Sequence, residues 1–204
     1  MPSKKTNSRG YSPRRVNTRE VKQRFLIVCE GAKTEPNYFK SFRVPKNVME
    51  IKGLGENPSK LVQSVKELAS QDEYDQVWCV FDRDDWPPED FNNAIMKAKS
   101  LDAKLNYSFK VAYSNEAFEL WYVLHFEFLN SGISRYDYIR KLDQLLNHKY
   151  YKNSETIYDE LLNKQDFAIK NATNLLQQYN SSTPLNDNPS TTVHLLVQEL
   201  NKFI

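Results

Sequence analysis

A chain of 204 residues is long enough for one sizeable core, or for a core with a smaller helical appendage. Its 28 basic and 26 acidic residues nearly balance, yet residues 1–24 carry eight Lys or Arg against Glu20 alone, a net +7 that leaves −5 for the remainder. No apolar run approaches the roughly 18 residues of a membrane span, and the amino terminus lacks the apolar segment of a secretory signal, so a cytoplasmic protein with no membrane partner is expected.

Residues 1–23 read as a basic arm, suited to a polyanion such as nucleic acid and also common as a solubilising extension. From residue 24 to about 130, apolar β-branched runs alternate with amphipathic stretches, the pattern of βαβ units and a mainly parallel sheet flanked by helices. The expected strands are residues 24–30, 48–54, 76–82 and 107–114. Between the first two, TEPNYFKSF starts a helix with Thr34 as cap, Pro36 in the first turn, and Tyr38, Phe39 and Phe42 facing inward. Between the next two, a helix opens at Pro58 and Ser59 and buries Leu61, Val65 and Leu68. A third follows Pro87 and Pro88 with Phe91, Ile95 and Ala98 as its stripe. Cys29 and Cys79 sit inside strand-like runs without a CxxC spacing, which makes them buried core thiols rather than zinc or redox groups. Residues 131–204 form a helical extension packed on the core, with Asn188, Pro189 and Ser190 opening the last helix.

Two acidic loops each end an apolar run: Glu30 closes FLIVCEG, and Asp82 with Asp84 closes QVWCVFDRDD. In an open α/β sheet, ligands collect outside the carboxyl ends of the strands, so two loops about fifty residues apart can meet at one site. Magnesium takes one or two carboxylates and keeps several waters. A Glu from one strand end and two alternate Asp from a neighbouring strand form a sensible ligand set for it, and in an extended segment Asp82 and Asp84 share a side while Arg83 points away. The chemistry this suits is phosphoryl transfer, where the protein mainly holds metal ions and neutralises charge on phosphate oxygens. The alternative is a solvated DRDD loop, with Glu30 paired to Lys33 or Arg83.

The blocks VCEGAKTEPNYF (28–39), VFDRDD (80–85), SNEAFELWYVLHF (114–126) and NPSTTVHLLV (188–197), in this order, resemble the signature of RloB-like proteins, a Toprim-related family with an abortive-infection component. The resemblance covers the chain from about residue 24 to its end. It implies a Toprim-like fold with Glu30 as metal ligand or general acid/base and Asp82 and Asp84 as ligands of Mg2+ (or Mn2+). It also implies antiphage defence, often beside an ATPase partner encoded in the same locus, with nuclease activity toward nucleic acid and transfer RNA among the targets. The third block departs from the family's usual form, with Glu116 and Ala117 where Pro and Cys stand, which adds an acid near the site.

Glu119 would complete an acidic cluster if the fourth strand lies near the first and third, and Lys33 would steady a phosphate or pair with Glu30 or Glu35. Glu35 is explained by its place in a first helical turn, Asn115 and Ser114 by capping, and Trp86 by packing a loop, although it could stack on a base. His125, His148 and His194 form no ligand set. The expected function is a magnesium-dependent nuclease with Glu30, Asp82, Asp84, Glu119 and Lys33 at its site. The rivals are a noncatalytic module that binds nucleic acid or an ATPase and a nucleotidyl-transfer enzyme, and a homo-oligomer remains compatible with either.

Overall fold

The computed structural model describes residues 23–83, 86–179 and 183–204. Residues 1–22, which are all but the last residue of the basic arm, and Asp84 and Asp85 lie outside the described residues.

Strands β1 (Phe25–Cys29), β2 (Met49–Gly53), β3 (Gln76–Asp82) and β4 (Ser108–Asn115) fall within a residue of the expected runs. They form a parallel sheet in the order β2-β1-β3-β4, and a two-residue strand, β5 (Ser190–Thr191), adds an antiparallel edge beside β4. The connections hold α1 (Thr34–Lys40), α2 (Pro58–Ala69) and α3 (Pro88–Asp102). After β4 come α4 (Glu119–Val123), α5 (Arg135–Leu145), α6 (Ile157–Leu161), α7 (Gln165–Gln177) and α8 (Val193–Asn201).

Both faces of the sheet are covered, which is why β1 reads as an unbroken apolar run rather than an alternating one. Leu26, Val28, Val77, Cys79 and Phe81 point to one side, against Leu61 and Val65 of α2 and Phe91 and Ile95 of α3. Phe25, Ile27, Cys29, Trp78 and Val80 point to the other, against α1 and the helices that follow β4. The period-two alternation of strand side chains thus divides ten consecutive-looking apolar positions between two cores. Each such fully buried Leu, Val or Phe is worth about 1.5–3 kcal/mol relative to exposure. Both cysteines are buried free thiols, as their strand positions predict.

Helix α2 is capped by Asn57, whose side chain accepts from the Lys60 N–H, with Pro58 at the first position. Capping expectations fail at Thr34 and at residues 188–190. Thr34 is the first residue of α1 and its hydroxyl donates to Asn153 Oδ1 instead of capping the helix. Residues 188–190 do not open the last helix, because Ser190 and Thr191 pair with Asn115 and Ser114, and α8 begins only at Val193. The Thr191 hydroxyl donates to the Tyr113 carbonyl at 3.0 Å, and Thr192 Oγ1 accepts from the Tyr113 N–H at 2.9 Å. Side-chain hydroxyls that bond a neighbouring strand hold this segment extended.

Among the described residues no helix is long and apolar enough to cross a membrane.

The first βα loop presses on β2. A Cβ on Gly53 would stand 2.5 Å from the Gly31 carbonyl oxygen and 2.9 Å from Ala32 Cα, and backbone atoms cannot swing aside as a side chain can. Gly53→Ala is therefore expected to lower stability by about 1–3 kcal/mol through overpacking, read as a shift of the urea midpoint without a change in slope.

Candidate functional site

The connection from β1 runs to β2 on one side and that from β3 runs to β4 on the other, so the strand order, though not the strand direction, reverses between the parallel neighbours β1 and β3. A crevice outside the strand ends is the consequence of such a reversal. Backbone bonds fix what enters it. Glu30 donates its N–H to the Val80 carbonyl at 2.8 Å and accepts at its own carbonyl from the Gly55 N–H at 2.8 Å, so it is pinned between β3 and the end of β2. Asp82, the last residue of β3, stands opposite Ser114 of β4.

The Glu30 carboxylate accepts the Asp82 backbone N–H at 3.1 Å on one oxygen and the Trp86 indole N–H on the other. Asp82 Oδ2 accepts the Phe118 N–H at 2.8 Å, while its Oδ1 is buried with no hydrogen-bond partner. Glu119, at the start of α4, is buried and accepts the Tyr150 hydroxyl at 3.3 Å. Glu35, in the first turn of α1, is only 6% exposed, and its Oε2 is likewise buried without a partner. Room for that carboxylate comes from Gly31, where a Cβ would lie 2.0 Å from Glu35 Oε2.

These four acids line one cleft of about 360 Å3, together with Lys33, Arg135, Lys152 and Asn153. The last three come from the carboxyl-terminal half. The turn that carries Lys152 is tied to α1, since Asn153 accepts from the Thr34 hydroxyl at 2.8 Å and, at its carbonyl, from the Asn37 side chain at 3.0 Å. Asn153 adopts φ 72°, a left-handed conformation that Asn tolerates better than most residues. Arg135 opens α5 next to Ser134, whose side chain forms a capping box with Asp137.

Burial, followed by the charges of Glu30 and Glu119, pushes the Glu35 carboxyl up to about 7. Burial, then the charges of Glu35, Glu30 and Glu119, holds Asp82 well above the usual carboxylate range. Among the described residues neither acid forms an ion pair that would offset its desolvation, and the charge of Lys152 only moderates the shift of Glu35.

Glu30, Lys33, Asp82 and Glu119 are therefore brought together. Asp84 lies outside the described residues. Glu116 does not line this cleft but a neighbouring one. Asn115 does not cap α4: its amide donates to the carbonyls of Pro184, Leu185 and Asp187. Glu35 was explained in sequence as a first-turn acid, and its burial depends on contacts from elements far along the chain. The available signal was its place five residues after Glu30, beyond a glycine that makes space for it. Nothing in the local sequence marks Arg135 or Lys152. Buried His125 and His194 are both pushed down to about 4 by desolvation, and exposed His148 pairs with Glu160, so none faces the acids.

Among the described residues no three His, Cys, Asp or Glu side chains are already arranged to hold a metal ion. The donor chemistry nevertheless suits a hard divalent cation: all four donors are carboxylates, and Asp82 Oδ1 and Glu35 Oε2 are buried oxygens without a protein partner.

A family model described as RloB-like protein matches residues 25–200. Neither the curated proteins nor the solved structures contain a match.

The raised Glu35 carboxyl has a defined effect on stability. A group with a native pKa of about 7 against an ordinary 4.5 favours the folded state below pH 4.5 and loses that contribution as pH rises through 7. The loss amounts to about 3 kcal/mol. In chelator, Glu35→Gln is expected to unfold at a higher urea concentration than the parent at pH 8, with the gain gone at pH 4.5.

Proposed function

The chain belongs to the RloB-like family, and we propose that it is a divalent-metal-dependent nuclease of the Toprim type that hydrolyses phosphodiester bonds in nucleic acid. The observation that carries the reading is the meeting of Glu30 and Asp82 at adjacent strand ends, with Asp82 Oδ1 and the nearby Glu35 Oε2 buried without a hydrogen-bond partner. Carboxylates placed this way cost stability, and a bound cation offsets that cost.

Glu30 and Asp82 would hold the ion, with Asp84 as the third ligand that the D-x-D spacing supplies. Magnesium or manganese bound there would polarise a phosphoryl oxygen and lower the pKa of the attacking water. Asp82 is oriented by the Phe118 N–H, and Glu30 by the Asp82 N–H and the Trp86 indole, so both carboxylates are fixed before substrate arrives. Glu119, held by Tyr150, supplies a further carboxylate to the cleft. Lys33, Arg135 and Lys152 supply the opposite charge along the rim, where phosphate oxygens flanking the scissile bond would lie. Family resemblance supports a place in antiphage defence beside an ATPase partner, with transfer RNA among the substrates to be tried.

Wild type incubated with duplex DNA, single-stranded DNA and total RNA in magnesium or manganese, with and without a neighbouring ATPase, is expected to cleave one of them. Asp82→Ala should reduce that cleavage by at least ~100-fold. Magnesium should also raise the unfolding midpoint of wild type at pH 8 and leave that of Asp82→Ala unchanged. Equal cleavage by both proteins would exclude the proposed site. Nucleic-acid binding without turnover in any condition would instead favour a noncatalytic binding module.

A further inference from the structure

Beyond the acidic cleft lies a second one of about 520 Å3, lined by Arg83, Trp86, Pro87, Glu116, Leu185 and Asn188 among others. Trp86 links the two, with its indole N–H on Glu30 of the acidic cleft while the residue itself lines the second cleft. From this geometry we infer that the second cleft is a base-binding subsite in which Trp86 stacks on an unpaired nucleobase, and that the substrate is single-stranded nucleic acid. The inference rests on the proposed phosphodiester chemistry at Glu30 and Asp82, and it names the form of nucleic acid that chemistry would receive.

Several observations separate this ring from a packing residue. Trp78 and Trp121 are buried to 1% and 0% exposure inside the apolar core, whereas Trp86 is half-buried and belongs to neither apolar cluster. Arg83 donates to the Trp86 carbonyl at 2.8 Å, and Pro87 and Pro88 follow at once, so the backbone on the carboxyl side of Trp86 has little freedom to lose when a ligand arrives. The lining also includes polar side chains: Asn188, which packs against Gly132, where a Cβ would come within 2.9 Å of its carboxamide, and Glu116. A cleft lined by an aromatic residue and prolines together with an amide and a carboxylate matches a nucleobase, which has an apolar face and an edge of hydrogen-bond donors and acceptors.

Continuity with the acidic cleft sets the polarity of the arrangement. A phosphodiester at Glu30 and Asp82 would have one flanking nucleotide beside Lys33 and Lys152 and the other beside Trp86. The faces of bases inside a duplex are covered by their stacked neighbours, so a ring at the side of the site reaches only a base from a single strand, a loop or a frayed end.

The test uses the full-length protein in EDTA, where no turnover occurs, and fluorescence anisotropy of a labelled 12-mer as single-stranded DNA, single-stranded RNA and blunt duplex at 150 mM salt. Wild type should bind at least one single strand more tightly than the duplex. Trp86→Ala should weaken that binding roughly 5- to 150-fold while leaving the duplex unaffected. Trp86→Phe, which keeps an aromatic face and loses the N–H to Glu30, should retain most of the affinity. Equal binding by Trp86→Ala and wild type would overturn the subsite. So would a Phe variant as weak as the Ala variant, because the indole would then act only by orienting Glu30, and so would a duplex bound as tightly as the single strands. The two readings fail separately. The expected binding pattern without cleavage removes the nuclease alone, and cleavage with no role for Trp86 in binding removes the stacking subsite alone.

Discussion

The structure turns on four carboxylates that share one partly desolvated cleft. Like charges gathered away from water raise one another's proton affinity and oppose the fold that gathers them. The surrounding architecture is what makes the gathering possible: parallel strands end side by side at the reversal of the sheet, and backbone N–H groups of Asp82 and Phe118 donate to two of the acids. Gly31 leaves space for a third, and Tyr150 donates to the fourth. Two oxygens are left unanswered, one on Asp82 and one on Glu35. Residues that serve only the fold do not need such an arrangement, and sites that perturb carboxylates this strongly are where chemistry concentrates.

The carboxyl-terminal half is integral to this arrangement. It contributes β5 to the sheet, Tyr150 to Glu119, and Arg135 and Lys152 to the cleft wall. The acids therefore come from the βα half and the facing cations largely from the helices, which gives the cleft one negative side and one positive rim. That polarity would suit the proposed polyanionic substrate and the proposed cation at the acids.

Much of this was legible in sequence, for physical reasons that differ along the chain. Apolar runs covered on both faces and punctuated by Pro and Gly mark β1 to β4 almost to the residue, because parallel strands have no polar side. Glu30 and Asp82 stood out because each directly follows such a run. The reading failed where a local role and a long-range role compete for one residue. Asn115 has the composition of a cap yet spends its amide on three carbonyls some seventy residues away, and Asn188, Pro189 and Ser190 read as a helix start although Ser190, with Thr191, extends the sheet. Glu35 likewise satisfies a helix terminus and also enters the cleft, and only the second role depends on tertiary contacts. Arg135 and Lys152 leave no local trace, since their proximity to the acids follows from how the last helices pack.

Asn153 joins the two halves at the level of single hydrogen bonds, accepting from Thr34 through its side chain and from Asn37 through its backbone. Thr34 and Asn37 belong to the loop and helix that carry Glu30 and Glu35, while Asn153 belongs to the turn that carries Lys152. The latch couples the inheritance of the two halves. A lineage that altered the turn at 150–153 would disturb the first acidic loop unless positions 34 and 37 changed with it, so the segments are expected to drift together and to resist exchange between relatives one at a time.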